Sequence, residues 1–390
     1  MSATPGRLRC ETLTDVGAVL GARDELARVT EIPGAASGIV QHPDWLLCEV
    51  ECRGPVVSPH VVVARDGDGR VVGYAPFLDA RHTARASFGT HQVPLYHGRA
   101  LRMLGSFVVA EPQTRATVER AIASTIMLDR RIRVIRIQET LLPNTFAAAL
   151  SNGPRKFTGV LSNLLDQINC TIQPQESLDG YLASLGSKRR NDLTRRLRNV
   201  YKKLGEEAHL RIFDAPDQVD DYCRLMNQVY ARSWHAKAQP IDWELPARRE
   251  LLRRFAGNAH FTGHMLMLGT RPLAYVHGYR LAGHYLLDDT GYDEEFAALG
   301  AGSALVFQAI QHLIENHPGE LIDFGYGDNQ YKRVLANRQT PCGSLYMVRG
   351  PGPRACFRMI APLRWAYLRL RDLHHRRRTR AHARADNGGS

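Results

Sequence analysis

The sequence predicts a mixed α/β (α+β) protein of two similar units, each a twisted mixed sheet flanked by helices. Three observations predict it. Alternating, strand-like runs are interleaved with segments of 3.6-residue apolar period. The order of elements in residues 60–153 recurs within 206–350. A chain of 390 residues exceeds the usual size of one domain.

In the first unit, "HVVVARDGDGRVVGYAPFLDAR" (60–81) reads as two strands about a glycine-containing turn, and "RMLGSFVVA" (102–110) as a third. "EPQTRATVERAIASTIML" (111–128) is a helix with Pro112 near its first turn. "RRIRVIRIQET" (130–140) alternates as a strand, and "PNTFAAALSNG" (143–153) is a short helix stopped at Asn152-Gly153. The second unit opens with helices over 214–234 and 244–258, the latter ending at Gly257-Asn258. Strands follow at "FTGHMLML" (261–268), "PLAYVHGYRLA" (272–282) and "HYLLDDTGY" (284–292). "GSALVFQAIQHLIENHPG" (302–319) is a helix with apolar positions at 305, 309, 310, 313 and 314. A strand "ELIDFGYG", a helix "DNQYKRVLAN" and a last strand "GSLYMVRG" complete it.

These elements divide the chain at 1–175, a basic helical linker at 176–205, 206–350, and a basic tail at 351–390. Composition is that of a globular protein, 44% hydrophobic and 23% charged. The net charge of +12 is concentrated in the tail, where ten arginines face Asp372 and Asp386. The tail therefore carries +8, and the high charge is weak evidence that the folded units bind nucleic acid. Its mixture of Trp365, Tyr367, Leu368, Leu370 and Leu373 with arginines suits an anionic membrane surface. Seven cysteines show no pairing pattern, and Cys48 and Cys52 have no second ligand pair for zinc. With no apolar leader or spanning run, the expected location is cytoplasmic, with peripheral contact on the inner face of the membrane.

The units differ at the junction between their third strand and following helix. In the second it is "LGAGSAL", where Leu299, Gly300, Ala301, Gly302 and Ser303 offer bare backbone N–H groups at a helix N-terminus. An anion is favoured there by the helix dipole. In the first it is "VVAEPQTRA", with Glu111 and a proline that lacks an N–H, so the second unit is the expected cofactor site. Glycine at such a turn also serves geometry alone. The helix "SKRRNDLTRRLRNVYKKL" sets Leu193, Leu197, Tyr201 and Leu204 on one side and eight basic residues on the rest, with Asp192 the single acid. Lys188 and Arg189 at its start are candidates for a polyanionic ligand; a solvated charged face is the alternative.

Strand, "GAGSAL" helix, strand and further helix is the order of the GNAT acyltransferase fold. "DDTGYDEEFAALGAGSALVFQAI" followed by "LIDFGYGDNQYKRVL" resembles the GNAT-like acetyltransferases grouped with cellulose-biosynthesis (CelD/BcsL-type) proteins. "SLGSKRRNDLTRRLRNVYKKL" and "DGRVVGYAPF" resemble that group too, and the likeness covers most of residues 40–350. The group is similar in turn to tandem-GNAT Fem-type aminoacyl ligases. The resemblance implies two tandem GNAT-like domains, the first degenerate. It also implies acyl transfer, with acetyl-CoA or another acyl-CoA as co-substrate and an amino sugar, amino acid or cell-envelope (exopolysaccharide) precursor as the small-molecule acceptor. One departure is Ala297, where the family's phosphate loop has Arg or Gln.

Acyl transfer to an amine needs a proton acceptor, a polarised carbonyl and an acid for the leaving thiolate. For the base, Asp288 and Asp289 lie near the end of the strand before the glycine loop and His277 in the preceding one; His277 and Asp289 each have a structural reading beside it. Tyr326 and Tyr331 are candidate acids, or aromatic packing under the cofactor. Lys332 either pairs with Asp328 four residues earlier or grips an acceptor anion. Trp234 and His235 end a helix and line the acceptor cleft, or pack the core. Two other readings remain: a Fem-like transferase using aminoacyl-tRNA, and an inactive GNAT scaffold in polysaccharide assembly.

Overall fold

The computed structural model describes residues 8–32, 38–88, 91–152, 156–161, 167–233, 242–327 and 329–359, with isolated positions at 236, 362, 365, 367 and 369. Its strands are β1 (Arg9–Leu13), β2 (Val57–Arg65), β3 (Val71–Phe88), β4 (His91–Met103), β5 (Val108–Val109), β6 (Val134–Leu141), β7 (Thr158–Leu161) and β8 (Gln167–Ile172). The series continues with β9 (Ala208–Phe213), β10 (Phe261–Leu268), β11 (Arg271–Leu281), β12 (His284–Tyr292), β13 (Leu321–Tyr326) and β14 (Arg338–Val348). The helices are α1 (Val16–Thr30), α2 (Pro43–Arg53), α3 (Arg115–Leu128), α4 (Thr145–Ser151), α5 (Leu178–Ser184) and α6 (Ser187–Leu204). After them come α7 (Val219–Ala231), α8 (Pro246–Gly257), α9 (Ala301–Asn316), α10 (Gln330–Leu335) and α11 (Pro351–Arg358).

Local chemistry explains the boundaries. Asp15, Asn144 and Ser177 each accept a backbone N–H two or three residues into the helix they precede. Gly54 and Gly205, both at positive φ, stop α2 and α6 where a side chain would be strained. The mixed α/β class expected from the sequence is what the structure has, and the repeated element order is visible in it. Strands β4 and β6 pair in parallel around α3, as β12 and β13 do around α9.

The halves do not form separate sheets. One sheet runs β1-β2-β3-β4-β6-β14-β8-β13-β12-β11-β10-β9. Strand β14, from the end of the second half, lies against β6 of the first. Strand β8, which precedes the second half, is inserted between β14 and β13. Each half thus completes its sheet with a strand from the other side of the chain.

Apolar clusters cover both faces. In the second half α5, α6, α9 and α10 pack one face through residues such as Tyr181, Leu193, Leu305 and Ile310. The other face carries α7 and α8 through Tyr222, Met226, Leu252 and Phe255. In the first half α3 and α4 cover one face and α1 and α2 the other. No helix among the described residues is long and apolar enough to cross a membrane.

Candidate active site

Strands β12 and β13 pair over only three positions, His284–Leu286 with Leu321–Asp323, and then part. Two irregularities force the parting. The β11–β12 register jumps between His277 and Gly278, so that Asp288 stands on a bulge. The β13–β8 register shifts between Asp323 and Tyr326, and Gly325 and Gly327 take φ of 66° and 111°. A cleft of about 780 Å³ lies at this opening, between the halves. Its second-half wall has His284, Leu286, Asp288, Asp323, Tyr326 and Lys332, and its first-half wall has Gln41, Trp45, Arg102, Arg115, Gln138 and Asn144.

Asp323 is fixed on several sides. Its Oδ1 accepts from Asn169 Nδ2 at 2.7 Å and from the Gly325 N–H at 2.8 Å, while His284 Nε2 lies 3.4 Å from Oδ2. Burial works to raise this carboxyl, yet His284, Asn169 and the Gly325 N–H together hold it below the usual carboxylate range. Its folded pKa is thus depressed, so the stability it adds is present above the unfolded value and lost as pH falls through the folded one. Asp323→Ala is expected to cost about 1.5–3 kcal/mol at neutral pH, measured by urea denaturation, because charged-group hydrogen bonds between β13 and β8 disappear.

Lys332 is only 7% exposed, and its Nζ donates to the Tyr326 carbonyl at 3.0 Å, closing the turn between β13 and α10. Tyr326 lines the cleft beside it. Tyr331 points to the α9 side, its ring edge-on to Phe324 with centroids 6.4 Å apart. Burial first, then Asp289 and Cys170, pushes its phenol up to about 12, so it stays protonated at neutral pH.

His277 is fully buried within rings of Tyr222, Trp243, Phe261, Tyr275 and Tyr279. Its Nδ1 is 3.0 Å from Tyr222 Oη, and its Nε2 lies 3.7 Å from Asp288 Oδ2. The histidine therefore stands behind Asp288, which is the group that reaches the cleft. Asp289, the cross-strand partner of His277, accepts from Tyr275 Oη at 2.9 Å and from the Thr290 N–H at 2.9 Å.

The glycine loop has two different glycines. Gly300 takes φ 74°, with nothing within 4 Å of where a Cβ would stand, and α9 starts after it with no side-chain cap. A Cβ on Gly302 would meet Tyr292 Cδ1 at 2.8 Å, so that glycine is needed for ring packing. Leu299, Ala301 and Ser303 complete the turn, with Ser303 exposed. Glu294 and Glu295 precede it; Arg271 bridges Asp293 and Glu295.

Lys188 and Arg189 sit elsewhere. Arg189 Nε donates to the Leu185 carbonyl at 2.9 Å and Nη1 to the Ala336 carbonyl at 3.4 Å, serving the C-terminal ends of α5 and α10. Helix α5 lies past the end of α9, since Gly319 N–H donates to Gln175 O just before α5, and Tyr201 Oη donates to Gln308 in the second turn of α9. Helix α6 thus runs antiparallel to α9, and exposed Lys202 and Lys203, not Lys188, approach the glycine loop. Arg189→Ala is expected to cost about 1 kcal/mol in thermal or urea unfolding through the released carbonyls. Trp234, His235 and Asp328 lie outside the described residues.

The sequence reading did not single out His284, Asn169 and the first-half wall. Asp323 lies inside the "DFGYG" motif and could have been found there; His284 is a lone strand histidine with no local signal.

Residues 187–333 match the acetyltransferase (GNAT) domain family. Among solved structures, the chain resembles FemX at 10% identity and TM-score 0.55, covering 87% of this chain and 97% of that one. It also resembles the C-terminal domain of a putative lysylphosphatidylglycerol synthetase from Agrobacterium fabrum, at 10% identity and TM-score 0.55, covering 85% and 92%. L-PGS from Bacillus licheniformis gives 10% identity and TM-score 0.51, covering 87% and 95%. At such identities the likeness is one of fold. No curated protein sequence matches the chain.

Proposed function

We propose that this protein is an N-acyltransferase that moves an acyl group, acetyl in the simplest case, from acyl-coenzyme A to an amine held in the cleft between its halves. The observation that carries this reading is the parting of β12 and β13, with an uncapped helix N-terminus at the end of β12 and a cleft at the opening. The residues fit a pyrophosphate. The first-turn N–H groups of α9 have no capping side chain, and nothing stands where a Gly300 Cβ would project. Within Leu299–Ser303 the first-turn N–H groups of Ala301, Gly302 and Ser303 would hold it, the Gly300 N–H being spent on the Ala297 carbonyl, with Lys202 and Lys203 adding positive potential in place of the side chain that Ala297 lacks. When bound, acyl-coenzyme A would supply the activated thioester, leaving coenzyme A as the thiol product.

The chain's own residues do the rest. Asp288 faces the cleft and takes the amine proton; His277 stands behind it and orients it. Asp289 holds the bulge through Tyr275. Tyr331, kept protonated by burial, is the proton donor for the departing thiolate, and Lys332 fixes the Tyr326 turn against the acceptor. The CelD/BcsL-like motifs favour an amino sugar, amino acid or cell-envelope precursor as acceptor. Thiol release from acetyl-CoA, followed with a panel of amines, tests the reading. Asp288→Asn is expected to slow it at least about a hundredfold while leaving acetyl-CoA affinity unchanged. Loss of both together would reject the assigned role.

One observation favours a second reading. Glu294 and Glu295 precede the glycine loop, and their charge opposes a pyrophosphate there. An aminoacyl-tRNA, whose terminal adenosine carries a single phosphodiester in place of a pyrophosphate, would lessen that conflict in the Fem-like alternative; strongly salt-dependent tRNA binding with no response to coenzyme A would mark it. For the tail, co-sedimentation with anionic liposomes should require residues 351–390. Equal binding by full-length and truncated chains would dismiss membrane contact.

A further inference from the structure

A second, smaller cavity lies on the first half, over the face formed by β3, β4 and β6. It measures about 110 Å³, and its lining includes Arg53, Arg81, Arg102, Arg136 and His82. Strand pairing builds it. Arg102 and Arg136 are direct partners across the three-position parallel ladder of β4 and β6, so two guanidiniums leave the same face side by side. Like charges placed opposite each other in a sheet repel, and little in the surroundings offsets them.

Among the described residues, the carboxylate in contact with these arginines is Glu49. It is shared, accepting from Arg53 Nη2 at 2.7 Å and also from Arg102. No ion pair of Arg81 or Arg136 occurs among the described residues, and the buried Arg136 Nε has no hydrogen-bond partner. Three guanidiniums, of Arg53, Arg102 and Arg136, thus share one carboxylate, while Arg81 leaves the other face of β3 beside Arg99. Their field reaches the neighbours. Burial first, then Arg136 and Arg102, pushes the His82 imidazole down to about 4, and its Nε2 rests 2.7 Å from Tyr346 Oη. A neutral His82 adds no further positive charge, so the site asks for an anion and not for a proton.

We propose that this cavity binds one phosphoryl-type oxyanion, gripped by Arg102 and Arg136 with Arg53 beside them. Guanidiniums in convergent pairs suit a tetrahedral oxyanion through parallel N–H donors, and a cavity of this volume holds one such group and little more. Arg102 also lines the large cleft. An acceptor with its amine at Asp288 can therefore leave a phosphate against Arg102, which makes the acceptor class a phosphorylated amine. That last step rests on the acyltransfer reading; the anion site itself does not.

The test is binding of inorganic phosphate to the full chain, read by thermal shift and calorimetry against chloride at matched ionic strength. Wild type should gain melting temperature and show saturable binding. Arg53→Gln, at an exposed position, and Arg136→Gln should each weaken phosphate about tenfold or more, as expected for loss of one charge-assisted contact. Acetyl-CoA stabilisation should survive in both variants, which separates failure here from failure of the acyltransfer reading. Glucosamine 6-phosphate compared with glucosamine assigns the source: tighter binding of the phosphorylated amine than of free phosphate marks an acceptor subsite, and equal binding marks a site for the free ion. Absence of phosphate binding, or an equal gain in wild type and both variants, overturns the proposal.

Discussion

Gly278→Ala is expected to destabilise the protein by about 3 kcal/mol, at the upper end of what one added methyl group costs in a packed core. A Cβ there would stand 2.3 Å from the Leu286 carbonyl oxygen and 2.5 Å from Tyr285 Cε1. Neither can yield easily. The carbonyl belongs to the β12 backbone, and the Tyr285 ring is buried. Gly278 also faces the bulge that displays Asp288, so the strain falls on the geometry that opens β12 from β13. Urea unfolding should show a shifted midpoint at unchanged slope. Gly67→Ala, where a Cβ meets nothing within 4 Å, is the control and should change little. A Gly278→Ala variant as stable as that control would show that the bulge tolerates a side chain.

The second large effect is on acid stability. His264 is wholly buried, with Nε2 3.0 Å from His312 Nδ1 and no partner for its own Nδ1. Burial, reinforced by His312 and Arg280, pushes its imidazole down to about 3. The unfolded chain accepts a proton near 6.5, while the folded chain refuses it until far lower. Stability from neutral His264 is therefore complete above pH 6.5 and lost as pH falls from 6.5 towards 3. The slope is about 1.4 kcal/mol per pH unit, or about 2 kcal/mol at pH 5. His264→Phe should flatten the curve of unfolding free energy against pH by that amount over the window. An unchanged slope would place the acid sensitivity in other groups.

Much of the second half was legible because its elements carry strong local patterns. Strands β10 to β12, helix α9 and the β13–α10 junction follow from alternation, helical period and glycine. Most of β4, "HQVPLYHGRAL", carries Pro94 and Gly98 and lacks a strand-like run. Strand β8, "QINCTI", alternates polar and apolar residues, and its pattern went unread. Those two omissions hid the exchange of β8 and β14, and with it the single sheet, since pairing between distant segments leaves no local mark.

The site divides in the same way. The glycine loop and the Tyr331-Lys332 pair lie in contiguous motifs and were visible. Reading His277 as a base beside Asp289 could not show that a ring of aromatics buries it, or that Asp288 is the carboxylate the bulge turns outward. Arg102, Arg115 and Trp45 stayed unseen because the first half has no glycine loop of its own. Its contribution is a wall, and a wall is defined only once the two halves are packed.

On the proposed function, the second half binds an acyl-coenzyme A at the N-terminus of α9. Calorimetric titration of the full chain with acetyl-CoA tests it most directly. Saturable binding at a single site, competed by free coenzyme A, is the predicted result. Absence of binding by acetyl-CoA, by longer acyl-CoAs and by coenzyme A itself would contradict it.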